Sequence, residues 1–228
     1  MSSVGRRVEP GFRISESQIK IGFTLLAAIP LLVFVLYPLW SILKKSFILE
    51  DGSWGLGNYA LYFTNPKFIA IINNSFVVSI AATVVTIFLA YVFAYAMHRS
   101  AIPFKKLWMI IAMLPLFAPS LVQALGFILV LGRNGLINRY FGTEIEIYGF
   151  WGIFLANTLY ALPHAILMLS AALAVADARL YESARMLGGS SWRIFWTVTL
   201  PATRYGIMSA VFVVFTIVIT DFGNPMVI

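Results

Sequence analysis

The side chains able to do chemistry are few in this sequence, and they do not converge. Its two histidines, His98 and His164, lie far apart, it has no cysteine, and its nine carboxylates form no cluster. A metal centre needs several such ligands brought together at fixed spacing, so none is expected. Without cysteine there is no disulfide or thiolate chemistry. No grouping of His, Asp, Glu or Ser marks a catalytic centre, and the phosphate-cradling pattern G-x-x-x-x-G-K-[ST] is missing, so no nucleotide hydrolysis is expected of this chain. His98, beside Arg99, reads as a residue at the end of an apolar run, and His164, after Pro163, as a packed polar residue. Two features remain. One is Asp221, in Thr220-Asp221-Phe222-Gly223-Asn224-Pro225, which ends a run of about sixteen apolar residues. The other is the patterned stretch from Asp177 to Pro201.

The elements that must position these residues follow from composition. The chain is 61% hydrophobic and only 11% charged, with a mean hydropathy of +0.89. Soluble domains are nearer half apolar and a quarter charged, because water-facing surface has to carry charge. The solvent for most of this surface is therefore lipid. A helix crossing a bilayer needs about 20 mostly apolar residues, and five stretches meet or approach that length. They are 21–43, about 75–97, 107–131 (interrupted by Pro115 and Pro119), about 148–176 (with Pro163 near its middle), and one from near Tyr205 to Thr220. Helices, not strands, satisfy their own backbone in lipid over such lengths. The predicted fold class is all-α, a polytopic transmembrane helix bundle of about five spans. Pro115, Pro119 and Gln123 could kink the third span and face the pathway or merely pack, and packing is the favoured expectation.

The net charge of +7 does not point to nucleic acid, since the basic residues sit in short segments between apolar runs. Arg6, Arg7, Arg13 and Lys20, then Arg99, Lys105 and Lys106, then Arg179, Arg185, Arg193 and Arg204 fall on one side. Lys44, Lys45, Lys67, Arg133 and Arg139 fall on the other. Cytoplasmic loops carry the excess of Lys and Arg. Residues 1–20 are thus expected to form a cytoplasmic tail, without the apolar centre of a secretory signal, and 21–228 a membrane domain. Residues 50–66, rich in glycine and aromatic residues, read as an irregular interfacial loop.

The stretch 177–201 then lies on the cytoplasmic side. Leu180, Ala184 and Leu187 recur at helical spacing and make one apolar face, while Glu182 and Arg185 are spaced to pair. Gly188-Gly189 supplies a helix stop, Ser190 an N-cap for a second short helix, and Pro201 an end to the unit before the next span. Residues 177–201 thus spell helix, bend, helix.

Glu182-Ser183-Ala184, Gly188 and Val198-Thr199-Leu200-Pro201 resemble the docking loop of binding-protein-dependent ABC importer permeases of type I, whose pattern is E-A-A, three residues, G, nine residues, I-x-L-P. The spacing matches throughout, with Ser183 in place of alanine and Val198 in place of isoleucine. The motif covers about 25 residues. The resemblance implies a bacterial cytoplasmic (inner) membrane protein, N-terminus inside, with a separate ABC ATPase subunit that grips this loop and uses the ATP. It also implies a second permease half, as homodimer, heterodimer or fused chain, and an extracytoplasmic solute-binding protein. Glu182 would be the anchoring charge, Ala184 a close-contact position and Gly188 the bend, with Ser183, Leu200 and Pro201 completing the docking segment. The Asp221 tract is similar to that of permeases for ferric iron and 2-aminoethylphosphonate. Asp221 and Asn224 are the candidate translocation-pathway residues, because an ionisable group at membrane depth beside helix breakers can line a cavity; Asp221 could equally cap a span end. A secondary transporter or channel without an ATPase is the competing function, and a membrane-embedded enzyme the third. The apolar ending Met226-Val227-Ile228 leads to the expectation of a further span, as in a truncated or fused permease.

Overall fold

The structure, a computed structural model, describes residues 16–228; the expectations for Arg6, Arg7 and Arg13 fall outside these. Two compact units divide the chain, one up to Ile69 and one from Ala70 to Ile228. Among the described residues five helical stretches are long and apolar enough to cross a membrane: Ile19–Ser46, Pro66–Arg99, Ser120–Phe141, Phe150–Val175 and Ser191–Val227.

In the first unit α1 (Glu16–Leu31), a π-helical turn (Leu32–Leu36) and α2 (Tyr37–Ser46) run on as one apolar helix. The turn has a local cause. Pro38 cannot donate a backbone hydrogen bond and its ring crowds the preceding turn. The amide just before it, on Tyr37, instead reaches five residues back to Leu32 O, which widens the helix by one residue. None of the side chains in its most apolar stretch is buried, as suits a surface facing lipid tails. The segment expected as an irregular loop holds a helix, α3 (Gly57–Thr64). It is anchored by the Asn58 amide, which donates to Ser46 O (3.1 Å) and Ile48 O (2.9 Å). Glycine-rich flanks hid that helix from a composition-based reading.

The second unit contains the core. Its helices are α4 (Pro66–Arg99), α5 (Lys105–Met113), α6 (Ser120–Leu131), α7 (Leu136–Phe141), α8 (Phe150–Val175), α9 (Ala178–Met186), α10 (Ser191–Ile194), α11 (Leu200–Ile219) and α12 (Gly223–Val227). Ala82, Ala90 and Ala94 of α4, Ala161 and Ala165 of α8, and Ala210 of α11 lie fully buried in one cluster with Ile166, Leu169 and Val214. Small residues dominate because helices in lipid gain by close backbone approach rather than by burying bulk. At the tightest point a Cβ on Gly206 of α11 would collide with that of Ala172 of α8.

The third expected span, 107–131, is not one helix. After α5 the chain makes a 3-10 turn (Leu114–Phe117) and an extended step at Ala118 before α6 starts. Pro115 and Pro119 break the ladder, and Gln123 compensates by donating from Nε2 to Pro115 O (2.6 Å) and Ala118 O (2.9 Å). Pro201 likewise does not end a helical unit. A second π-helical turn (Phe195–Thr199) accommodates it, with the Leu200 amide reaching back to Phe195 O. The helix that starts at Ser191 therefore continues into α11.

Candidate functional site

Two sites collect the residues singled out by type and spacing. The first is the turn between α8 and α11. Asp177 caps α9, its Oδ1 accepting from the Arg179 amide at 2.9 Å, and Ser183 Oγ donates to Arg179 O at 2.9 Å. At the other end Gly188 is left-handed, φ +73°. Its amide donates to Arg185 O (2.9 Å), and that of Gly189 to Ala184 O (3.0 Å). These paired return bonds close the helix terminus and need a residue without a Cβ penalty at the first position. Gly189 is constrained differently, since a Cβ there would stand 2.7 Å from Ala184 O. Ser190 Oγ then accepts from the Arg193 amide at 3.3 Å and starts α10.

What this turn presents outward is unusual. Glu182 is exposed, and the pairing with Arg185 that its spacing allows is not formed: among the described residues the ion pairs are Lys20–Glu16 and Arg133–Glu146. Leu187 (87% exposed) and Met186 (89%) stand uncovered, and Leu180 and Trp192 are also exposed. Ser183 is exposed and Ala184 half-buried. Pro201 and Leu180 meet across a groove of about 450 Å³ that Val198, Arg204 and Tyr205 also line, while Leu200 is half-buried beside it. The stripe of Leu180, Ala184 and Leu187 therefore does not face the bundle. Tyr181, one residue off that stripe, is the buried side chain. Its ring lies 3.8 Å below the Arg99 guanidinium, and Arg99 Nη2 donates to Leu173 O at 3.3 Å. Phe195 fixes the second arm, its ring edge-on to Tyr95 (5.4 Å) and Tyr91 (6.0 Å); the Tyr91 hydroxyl is hydrogen-bonded to that of Thr203 at 2.9 Å.

The second site is at the far end of α11. Asp221 accepts from the amides of Gly223 (3.4 Å) and Asn224 (3.1 Å) and so caps α12. Half-buried, it also lines a cleft of about 220 Å³ with Asn74, Ser75, Ser79 and Asn157. Asn224 is fully buried and donates from Nδ2 to Asn157 Oδ1 at 2.6 Å. The close approach of α12 to α6 requires glycine at 223, where a Cβ would strike Ser120 Oγ and the Leu121 amide. Asn157, Arg99 and Tyr181 were not singled out by sequence reasoning. Asn157 carried a usable signal, a lone amide inside a long apolar run. His164, by contrast, packs near the Tyr160 ring (5.9 Å), and among the described residues no three His, Asp or Glu side chains gather.

Five apolar helices of spanning length and an exposed, partly apolar helix–glycine–helix define a polytopic membrane protein. Residues 87–223 match the family described as the binding-protein-dependent transport system inner membrane component. The chain belongs to that family, and it is a multi-pass inner-membrane protein. It is similar to the spermidine/putrescine transport system permease protein PotB of Haemophilus influenzae, 30% identical over 198 residues, covering 78% of this chain and 67% of that one. It is also similar to the ferric transport system permease protein FbpB of Actinobacillus pleuropneumoniae, 27% identical over 215 residues and covering 91% of this chain. A third relative, the molybdenum transport system permease protein ModB of Escherichia coli (strain K12), is 29% identical over 167 residues, 72% of each chain. The chain spans about two thirds of the polyamine permease and about one third (31%) of the ferric permease.

Proposed function

We propose that this chain is a transmembrane permease subunit of an ATP-driven importer, and that the outward-facing side chains of residues 177–201 dock a separate ATPase subunit. The observation that carries the reading is the state of α9. It lies outside the candidate spans, yet it turns Met186 and Leu187 outward and leaves Glu182 with no ion pair among the described residues. Uncovered apolar surface beside an unpaired charge, outside the candidate spans, supports a protein interface. A groove on the ATPase would take α9 as a short helix, with Glu182 meeting a basic group, Ser183 and Ala184 allowing close approach, and Gly188 with Leu200 and Pro201 setting the angle of the two arms. ATP is bound and hydrolysed by that partner, and this chain is not an enzyme.

The same reading places the N-terminus and the 177–201 turn in the cytoplasm, on the distribution of Lys and Arg. It pairs the chain with a second permease half, and a binding protein delivers solute at the opposite face. Asp221 and Asn224, with the cleft beside them, belong to the translocation pathway. Ferric iron is the solute carried forward, supported by the extent of the match to a ferric permease; 2-aminoethylphosphonate and polyamine follow. Uptake of radiolabelled ferric iron, 2-aminoethylphosphonate and spermidine, in cells with and without the gene, separates these.

The docking reading is tested by affinity purification of the tagged chain from native membranes. An ATPase subunit should accompany the unsubstituted chain and be lost on Glu182→Lys and on Gly188→Trp. Retention in both variants would overturn the docking assignment.

A further inference from the structure

The docking reading says what α9 would meet; it does not say how a pull on α9 reaches the membrane cleft. We propose that Arg99 and Tyr181 are positioning residues that join α9 to α4, and that α4 carries the movement to the cleft at its far end. The proposal rests on the docking reading of the preceding subsection.

Three observations carry it. First, α9 has no helical continuity with α8. Ala176 (ψ 122°) and Asp177 (ψ 120°) both leave the helical region, so two residues separate the helices. Second, among the described side chains of α9, Tyr181 alone is buried. Its hydroxyl has no hydrogen-bond partner, so the ring face under Arg99, 3.8 Å from the guanidinium carbon, makes its directed contact. A guanidinium over an aromatic face is attracted by the ring quadrupole, more so where water is excluded. Arg99 is held in turn by Leu173 O. Third, Arg99 is the last residue of α4, which has no proline or glycine after Pro66. The other long helices are interrupted: α8 contains Pro163, and α11 follows a π-helical turn with Pro201 at its start. An unbroken helix is the stiff element. Ser75, 24 residues before Arg99 on α4, lies about 36 Å away along the axis at 1.5 Å per residue. Asn74, Ser75 and Ser79, near that end, line the cleft beside Asp221. The Arg99–Tyr181 cation–π contact thus links the outward-facing helix to a rod that ends at the cleft, beside the packing of α9 on α10 and the second π-helical turn.

The test uses the whole complex purified with its ATPase subunits, in a Ser75→Cys background. The chain has no native cysteine, so a membrane-impermeant maleimide reads this position in the permease band. The labelling rate is compared without nucleotide and after ATP turnover in the presence of vanadate, which traps ADP in the ATPase subunits. The parent complex should show a several-fold change. Tyr181→Leu and Arg99→Ala should keep the ATPase bound and hydrolysing while the change falls to none. Tyr181→Phe, which keeps the ring and removes only an unbonded hydroxyl, should restore it, and Arg99→Lys should restore it in part, since an ammonium does not stack as a guanidinium does. A full response in Tyr181→Leu with the ATPase bound would overturn the joint and leave docking intact. Loss of the ATPase from Tyr181→Leu would also overturn it, because the contact would then serve only to fold the docking turn. No response in the parent complex would overturn the joint, whereas failure of any ATPase subunit to co-purify with the parent chain would overturn the docking reading.

Discussion

Gly188 and the Asn157–Asn224 pair show how much single residues determine here. At φ +73° any residue with a Cβ is strained, by roughly 1–2 kcal/mol where the left-handed conformation is forced on it. Gly188→Ala should therefore lower the unfolding midpoint of the detergent-solubilised protein by the equivalent of about 1 kcal/mol, and Gly188→Asn by less, because asparagine tolerates that region. The two buried amides meet at 2.6 Å. Hydrogen bonds between membrane helices average about 0.6 kcal/mol and reach about 1.7, so Asn224→Ala should cost an amount in that range in the same assay. Asn157→Leu should match it, because each change removes the same bond. The glycine and its spacing were legible in the sequence, since a helix stop requires a residue of that kind. The amide pair was not, because its partners are 67 residues apart and nothing local links them. Tyr181 escaped for a related reason: its place is set by Arg99, at the end of another helix, and not by the periodicity of its own.

At the level of elements, prolines mark where helices change character, but their effect depends on what the backbone can do nearby. Pro38 and Pro201 are absorbed by π-helical turns, whereas Pro115 and Pro119 split a span and leave carbonyls for Gln123 to satisfy. Sequence alone identifies the prolines; it does not distinguish a widened helix from a broken one, because both relieve the same clash. The join of α8 to α11 is more predictable in kind. Gly206 sits where a Cβ would meet Ala172, so Gly206→Leu must force the helices apart. Overpacking of a close-packed contact costs about 1–3 kcal/mol, which should appear as a lowered melting temperature and as faster proteolysis of the 177–201 turn. Met208→Leu, on the exposed face of the same helix, should change neither.

For the whole molecule, the class was readable from composition, because a chain with this little charge cannot coat a soluble core. Five candidate spans were expected and five are present among the described residues, although their bounds differ, most in the third (Ser120–Phe141 rather than 107–131) and the fifth (Ser191–Val227 rather than about 205–220). The short helices α3 and α7 were not anticipated, lying in glycine-rich connections where the apolar pattern is too brief to carry a period. The charge distribution makes an orientation prediction. A reporter that folds only in the cytoplasm should be active when inserted after Arg185, and one that needs the periplasm should be active after Asp51. The reverse pattern would invert the topology.

Everything assigned to ATP-driven transport rests on a partner ATPase meeting the turn from Asp177 to Pro201, and that contact can be read directly. Ser183 is exposed beside Glu182, and the chain has no cysteine to compete. With Ser183→Cys carrying a short photoactivatable cross-linker in native membranes, one predominant adduct is expected, and mass spectrometry should identify in it a protein with the phosphate-binding loop that this chain lacks. The same linker on Glu144→Cys, at the opposite end of the predicted topology, should give no such adduct. An absence of ATPase at position 183, or equal capture at both positions, would contradict the account.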